Sequence, residues 1–297
     1  MEKIIVIVGF LGAGKTTFLK RLTRDCLNRG QSPYILINDY ENANLDAQQF
    51  SEYLDQKQIE ALSGSCICCD GITQLRMAVN SIPHRTNGIT LIEANGTTDA
   101  CELMGFMAVG IDSRYLPPIQ VSLVDVRMWQ NRGLHNELEA NQIQVSSQII
   151  LNHPDKVSSD RLSEVKAQIR SLNPSAALIE WEDFDFNNLV ASEPHPAKPQ
   201  KMDHHKSHWS ACSANLPSSM KSEDLHKILQ EIPETILRVK GCTQLDDDPY
   251  FSFFERIASG ETFVRPYRGK LADGPKLLVI GPGSEPNQLE AIIKKYT

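Results

Sequence analysis

The 297-residue chain has no apolar run near the roughly 20 residues needed to span a bilayer, so no segment of it reads as a transmembrane helix. It has no excess of positive charge: 30 Lys and Arg stand against 37 Asp and Glu, a net charge of −7. That removes the electrostatic case for a nucleic-acid-coating protein or an anionic-membrane binder, and any phosphate chemistry must come from a local site. Cysteine is scarce and poorly spaced for a secreted disulfide framework, with seven residues, an odd number, and three of them crowded into Cys66-Ile67-Cys68-Cys69. Reduced thiols suit that usage. A basic, apolar leader is also missing, because Met1-Glu2-Lys3 runs into only five apolar residues, Ile4 to Val8, before a Gly/Lys-rich loop. The expected location is cytoplasmic. There is no internal repeat. What remains is an ordinary globular composition, 41% apolar and 23% charged, which argues against extensive disorder and suffices for about two domains.

Short β-branched runs alternate with amphipathic stretches, the pattern of βα units around a mainly parallel sheet. Strands are expected at Ile4 to Val8, Tyr34 to Asn38, Gly88 to Glu93, Gln120 to Asp125, Ser147 to Asn152 and Ala176 to Glu180. Phe18, Leu19, Leu22 and Cys26 share a helix face, and Leu162, Val165 and Ile169 share another. Between 192 and 206 the composition turns to Pro and His, which reads as a linker. The expected organisation is therefore an α/β phosphate-loop (P-loop) domain over 1–191, the linker over 192–206, and a smaller α+β domain over 207–297. The last has helices around Leu225 to Ile232 and Leu289 to Tyr296, and strands near 235–239, 262–267 and 277–281.

Gly9-Phe10-Leu11-Gly12-Ala13-Gly14-Lys15-Thr16 fits G-x-x-x-x-G-K-[ST], directly after a strand and directly before a helix. In that context backbone amides curl around phosphates and the helix N-terminus adds partial positive charge. Gly9, Gly12, Ala13, Gly14, Lys15, Thr16 and Thr17 form the expected cradle. Lys15 reaches the β- and γ-phosphates, and the Thr16 hydroxyl is a Mg²⁺ ligand. A second metal-side carboxylate is expected at the end of another strand, where Glu93 stands, and Gly96 lets a backbone N–H approach the γ-phosphate. Asp39 ends the second strand on the same edge and serves either to contact Mg²⁺ or to position the attacking water. Asn152-His153-Pro154-Asp155 follows the fifth strand. Asn152 and Asp155 match the Asn-Lys-x-Asp pattern whose carboxylate pairs with guanine N1–H and the exocyclic amine, while His153 replaces the usual lysine.

Cys66, Cys68 and Cys69 are soft ligands suited to Zn²⁺ or a comparable transition ion, with buried or redox-reactive thiols as the alternative. With them the sequence resembles the CobW-type, cobalamin-synthesis-related GTPases. The resemblance rests on Gly9 to Thr17, Cys-x-Cys-Cys at 66–69, Glu93-x-x-Gly96, the guanine loop, and Leu237-Arg238-Val239-Lys240-Gly241. It implies a GTP-binding, GTP-hydrolysing metallochaperone with Lys15, Asp39 and Glu93 at the reaction centre. GTP and Mg²⁺ are then cofactors, Zn²⁺ or Co²⁺ is the cargo, and a client metalloprotein receives it. No nucleic-acid or membrane partner is expected, and a homodimer is admitted. Family members also carry a histidine-rich stretch between domains, and His204, His205 and His208 are candidates for that role or for a merely solvated linker. Departures are Asn38-Asp39-Tyr40-Glu41-Asn42, where the family reads Asn-Glu-Phe-Gly-Glu, and His153. Readings of a different class are a metal buffer or sensor with little turnover, and a P-loop kinase or ATPase acting on a small molecule.

Overall fold

The computed structural model describes all residues except 40–46, 48, 64–71, 108–109, 190–210, 234–235, 237, 247, 257–259, 268–270, 272–273 and 282–283. Among the described residues, those in 1–39 and 53–208 form one compact unit, and those in 40–52 and 209–297 form a second.

The first unit is built on seven strands: β1 (Lys3–Gly9), β2 (Ser32–Asp39), β3 (Ile59–Ser63), β4 (Gly88–Glu93), β5 (Ile119–Asp125), β6 (Gln148–Asn152) and β7 (Ala177–Glu180). Every pairing is parallel, in the order β3-β2-β4-β1-β5-β6-β7. Parallel strands covered on both faces read as continuous apolar runs. Ile4 to Val8 are accordingly all fully buried. The chain goes from β1 outward to β2 and β3, returns to β4, then crosses β1 to reach β5. β1 thus lies where the winding reverses, and in such sheets ligands bind at the carboxyl ends beside that point.

Among the described residues, five helices flank this sheet: α1 (Lys15–Asn28), α2 (Ile72–Ser81), α3 (Ala100–Met107), α4 (Asn136–Gln144) and α5 (Ser159–Leu172). Helix α1 buries Phe18, Leu19, Leu22 and Cys26, as their spacing predicts. Full burial of each large apolar side chain stabilises by about 1.5–3 kcal/mol. On one face of the sheet Leu75 and Val79 of α2 and Leu103 and Met107 of α3 pack against Ile4, Val6, Val8, Leu36, Ile92 and Ala94. Trp129, Ile143 of α4 and Val165 and Ile169 of α5 pack against Val124, Ile149 and Leu151. The Ser158 hydroxyl caps α5 by accepting from Arg161 N at 3.2 Å.

The second unit contains strands β8 (Ala211–Asn215), β9 (Ser219–Met220), β10 (Arg238–Leu245), β11 (Phe251–Arg256), β12 (Thr262–Tyr267) and β13 (Lys276–Ile280), with helices α6 (Ser222–Glu231) and α7 (Pro286–Lys294). The order is β12-β11-β10-β13-β8, all antiparallel, with the short β9 parallel to β10. Leu225, Ile228 and Leu229 of α6 and Leu289 and Ile293 of α7 cover one face. The α/β class with a separate α+β part is as expected. The strand expected near 235–239 spans Arg238–Leu245, because pairing with β13 continues to Cys242 and pairing with β11 to Gln244.

Candidate functional site

The phosphate loop fills the gap between β1 and α1, with β4 on one side of β1 and β5 on the other. Gly14 stands at the N-cap of α1 with φ 99°, a left-handed conformation that L side chains rarely adopt. A Cβ there would also lie 2.6 Å from Asn152 Nδ2. Helix α1 receives no side-chain cap from Gly14 at its N-cap. Its first amides therefore stay directed into the loop, as an anion site requires. Lys15 is 4% exposed and its Nζ donates to Gly9 O at 2.8 Å and Phe10 O at 3.3 Å, holding the ammonium over its own loop. Gly12 and Ala13 complete the curve, with Ala13 N donating back to Phe10 O at 3.1 Å. Thr17 is exposed on the first turn of α1.

Thr16 Oγ1 donates to Glu93 Oε1 at 2.9 Å, joining residues 77 apart in sequence. Glu93 is 4% exposed and closes β4. A hydroxyl and a carboxylate oxygen brought together beside a phosphate loop are the hard donors that Mg²⁺ selects. Gly96 lies against the loop itself, since a Cβ on it would come within 2.9 Å of Leu11 N. Only glycine permits that approach.

The loop around Gly96 is latched from behind by α4. Gln142 Nε2 donates to Gly96 O and to Thr98 O, each at 3.1 Å, and Asn141 Oδ1 accepts from Ala100 N at 3.0 Å. The other neighbour of the phosphate loop is an aromatic clamp. The Arg132 guanidinium sits 4.6 Å from the Phe10 ring centroid, and the His135 ring lies 6.3 Å away. Arg132 Nε donates to Glu139 Oε1 at 3.3 Å, and Gln130 N donates to Glu139 Oε2 at 2.7 Å. Burial raises the Glu139 carboxyl above its ordinary range against the opposing pull of Arg132, and burial lowers His135 below its ordinary value.

The loop expected to read the base comes next along the edge. Asn152 ends β6, its Nδ2 donates to Ala13 O at 3.0 Å, and its Oδ1 accepts from His153 N at 3.0 Å. His153 has φ 59°, which turns the chain into the short helical turn Pro154–Lys156. The Asp155 carboxylate is 68% exposed and lies 3.3 Å from Lys156 Nζ, a pair of little energetic weight.

The sequence-predicted residues Gly9, Gly12, Ala13, Gly14, Lys15, Thr16, Glu93, Gly96 and Asn152 thus meet at one edge, and Asp155 stands three residues beyond Asn152 in the same loop. Asp39 ends β2 opposite Ser63 on the same carboxyl edge. Cys66, Cys68 and Cys69, and His204, His205 and His208 with the 192–206 linker, lie outside the described residues. Among the described residues no group of three His, Cys, Asp or Glu side chains is placed to hold a metal. Sequence reasoning missed Asn95, Arg132, Glu139 and Gln142. The signal for Asn95 was present, since it stands inside the Glu93-x-x-Gly96 pattern.

Residues 3–180 match the family described as "CobW/HypB/UreG, nucleotide-binding domain". Among curated proteins the chain is 25% identical over 214 residues to the "Zinc-regulated GTPase metalloprotein activator 1" of Dictyostelium discoideum, covering 59% of this chain and 45% of that protein. It is 23% identical over 287 residues to the "Zinc chaperone YjiA" of Escherichia coli (strain K12), covering 86% and 85%. The chain spans about half the length of the first of these and most of the second. A solved structure, the Zn(II)-bound YjiA GTPase from E. coli, overlaps 99% of this chain and 98% of its own at 17% identity and a TM-score of 0.43. The family match covers well over half of the 297 residues and contains the phosphate loop, the Glu93 to Gly96 loop and Asn152, and it makes the chain a member of the CobW/HypB/UreG family, whose nucleotide-binding domain it carries.

Proposed function

We propose that the chain is a GTP-hydrolysing metallochaperone that binds a transition metal, Zn²⁺ foremost, and hands it to a client protein in the cytoplasm. The observation that carries the nucleotide half is the hydrogen bond from Thr16 to Glu93 at 2.9 Å, which ties the phosphate loop to a second strand end. Thr16 and Glu93 would hold Mg²⁺, which when bound offsets the negative charge of the β- and γ-phosphates. Lys15 and the α1 amides grip the same phosphates, and Gly96 N–H approaches the γ-phosphate. Asp39 is assigned to the metal or to the attacking water. Asp155 is assigned to guanine, and Asn152 holds the base loop onto the phosphate loop. The relatives' names, zinc-regulated GTPase activator and zinc chaperone, support both the nucleotide and the cargo.

Cys66, Cys68 and Cys69 are assigned to the cargo metal by residue chemistry, with His204, His205 and His208 as a secondary collecting site. For the cycle to drive delivery, metal must bind the GTP- and GDP-loaded forms with different affinities, and nucleotide affinity must change by the same factor. The test is competitive titration of both loaded forms with Zn²⁺, Co²⁺ and Ni²⁺, alongside the Cys66→Ser, Cys68→Ser, Cys69→Ser variant. We expect at least about a fivefold difference between nucleotide states, and loss of tight binding in the variant. Equal affinities in the two states would refute the switch, and unchanged metal binding in the variant would refute the thiolate site. Inorganic phosphate released without an added acceptor separates this reading from a kinase.

A further inference from the structure

The loop that leaves β4 carries a buried donor that it does not pair. Asn95 is 4% exposed, and its Oδ1 accepts from Thr97 N at 3.1 Å and from Thr97 Oγ1 at 3.2 Å. The backbone donor fixes which end of the amide is oxygen. Asn95 Nδ2 therefore points the other way, where it has no hydrogen-bond partner among the described residues. Asn38, also 4% exposed, buries an acceptor, Oδ1, that has no partner among the described residues. Strands β2 and β4 pair in register as far as Ile37 against Glu93, so Asn38 stands one residue beyond that rung and Asn95 two. The unmatched donor and the unmatched acceptor share one strand edge.

That edge is the reacting end of the site. Glu93, two residues before Asn95, receives the Thr16 hydroxyl, and Gly96, the next residue, lies against Leu11 of the phosphate loop. Nor can the loop readily turn Asn95 away. Gln142 holds the carbonyls on either side of Thr97, and Asn141 holds Ala100 N. Leaving a buried donor and acceptor unmatched is costly. Polar groups held fixed in that condition are organised in advance for a group that arrives with the ligand.

We propose that Asn95 and Asn38 hold and orient the water that attacks the γ-phosphate, an inference that rests on the hydrolysis reading above. A water molecule has two lone pairs and two protons. Asn95 Nδ2–H donates to one lone pair, Asn38 Oδ1 accepts a hydrogen bond from one water O–H, and the second lone pair is left facing phosphorus. The water oxygen forms its bond to the γ-phosphorus as the bond from that phosphorus to the β,γ-bridging oxygen breaks, and the electron pair leaves with GDP. One water proton stays on the inorganic phosphate, and the other is released to solvent. Neither carboxamide takes a proton; each acts by fixing the nucleophile's orientation, the kind of contribution that a misplacement of about 1 Å can cost 100-fold.

The test measures single-turnover hydrolysis of Mg²⁺·GTP and, separately, the Kd of a non-hydrolysable GTP analogue, for wild type, Asn95→Ala, Asn95→Asp, Asn38→Ala and Asn38→Asp. Asn95→Asp keeps the shape and the acceptor for Thr97 but replaces the donor, so it tests the role even where Asn95→Ala disturbs the loop. We expect both Asn95 variants and Asn38→Ala to hydrolyse about 100-fold more slowly, with analogue Kd within about threefold of wild type. Asn38→Asp, which retains an acceptor, should recover at least about tenfold of what Asn38→Ala loses. Hydrolysis by Asn95→Asp and Asn38→Ala within about threefold of wild type overturns the inference and leaves the GTPase reading standing. Wild-type chain that binds GTP but releases no phosphate overturns both.

Discussion

Cys26, Cys101 and Cys242 share a property that the sequence cannot show, because burial pushes each thiol up to about 12. At pH 8 such a thiol is thiolate in roughly one part in 10⁴, and only the thiolate ligates metal or exchanges disulfides. In the Cys66→Ser, Cys68→Ser, Cys69→Ser variant, these three should react with a chromogenic disulfide at pH 8 at least about 100-fold more slowly than in denaturant. Rapid modification of any of them in the folded chain, located by peptide mass, would contradict this. At this scale the site was largely legible: Lys15, Thr16, Glu93, Gly96 and Asn152 all stand in local patterns, and the structure joins them. Gln142 was not legible, since its partners Gly96 and Thr98 lie 46 and 44 residues away and a glutamine in a polar helix carries no mark of either.

At the scale of elements, the central strands of the parallel sheet declared themselves through unbroken β-branched runs, and the edge strands β7 and β12 were legible too, whereas the edge strands β3 and β8 were not. β3 reads Ile-Glu-Ala-Leu-Ser and β8 reads Ala-Cys-Ser-Ala-Asn, compositions with weak strand preference, and each ends its sheet with a neighbour on one side only. Pairing to β2 and to β13 makes them strands. Helix α4 was also passed over. Its sequence, Asn-Glu-Leu-Glu-Ala-Asn-Gln-Ile-Gln, is mostly polar because several of its polar groups face inward: Glu139, Asn141 and Gln142 are all buried. The helix serves as a latch on the Gly96 loop, and truncating the latch leaves buried carbonyls unmatched. Gln142→Ala should lower stability by about 1–3 kcal/mol, measured by urea unfolding, while the Thr16 to Glu93 contact survives. A loss below about 0.5 kcal/mol would show that solvent replaces the latch at no cost.

At the scale of the whole molecule, each unit has its own core, one on the parallel sheet and one on the antiparallel sheet. Nucleotide stabilises what it binds by RT ln(1 + [L]/Kd), about 2.7 kcal/mol at 100 times Kd. Saturating Mg²⁺·GDP should therefore slow amide exchange in β1, α1, β4 and β6 and leave β10, β11 and β13 unchanged, as read by exchange mass spectrometry. Equal protection in the antiparallel sheet would show that the two cores respond as one. The division into an α/β part and an α+β part was legible from the restart of the hydrophobic pattern, whereas the grouping of residues 49–52 with the second unit was not. Those residues follow β2 in sequence, and their place rests on contacts such as Arg265 Nη2 donating to Gln49 Oε1 at 2.6 Å, between residues 216 apart. The contact of Asn152 with Ala13 and Gly14 has a consequence for how such a site can diverge. On the proposed assignment of this loop to guanine, the residue that opens it is also a prop of the phosphate loop, so base preference and phosphate grip become one heritable trait. A lineage drifting toward another purine would have to rebuild both ends of the nucleotide's seat together.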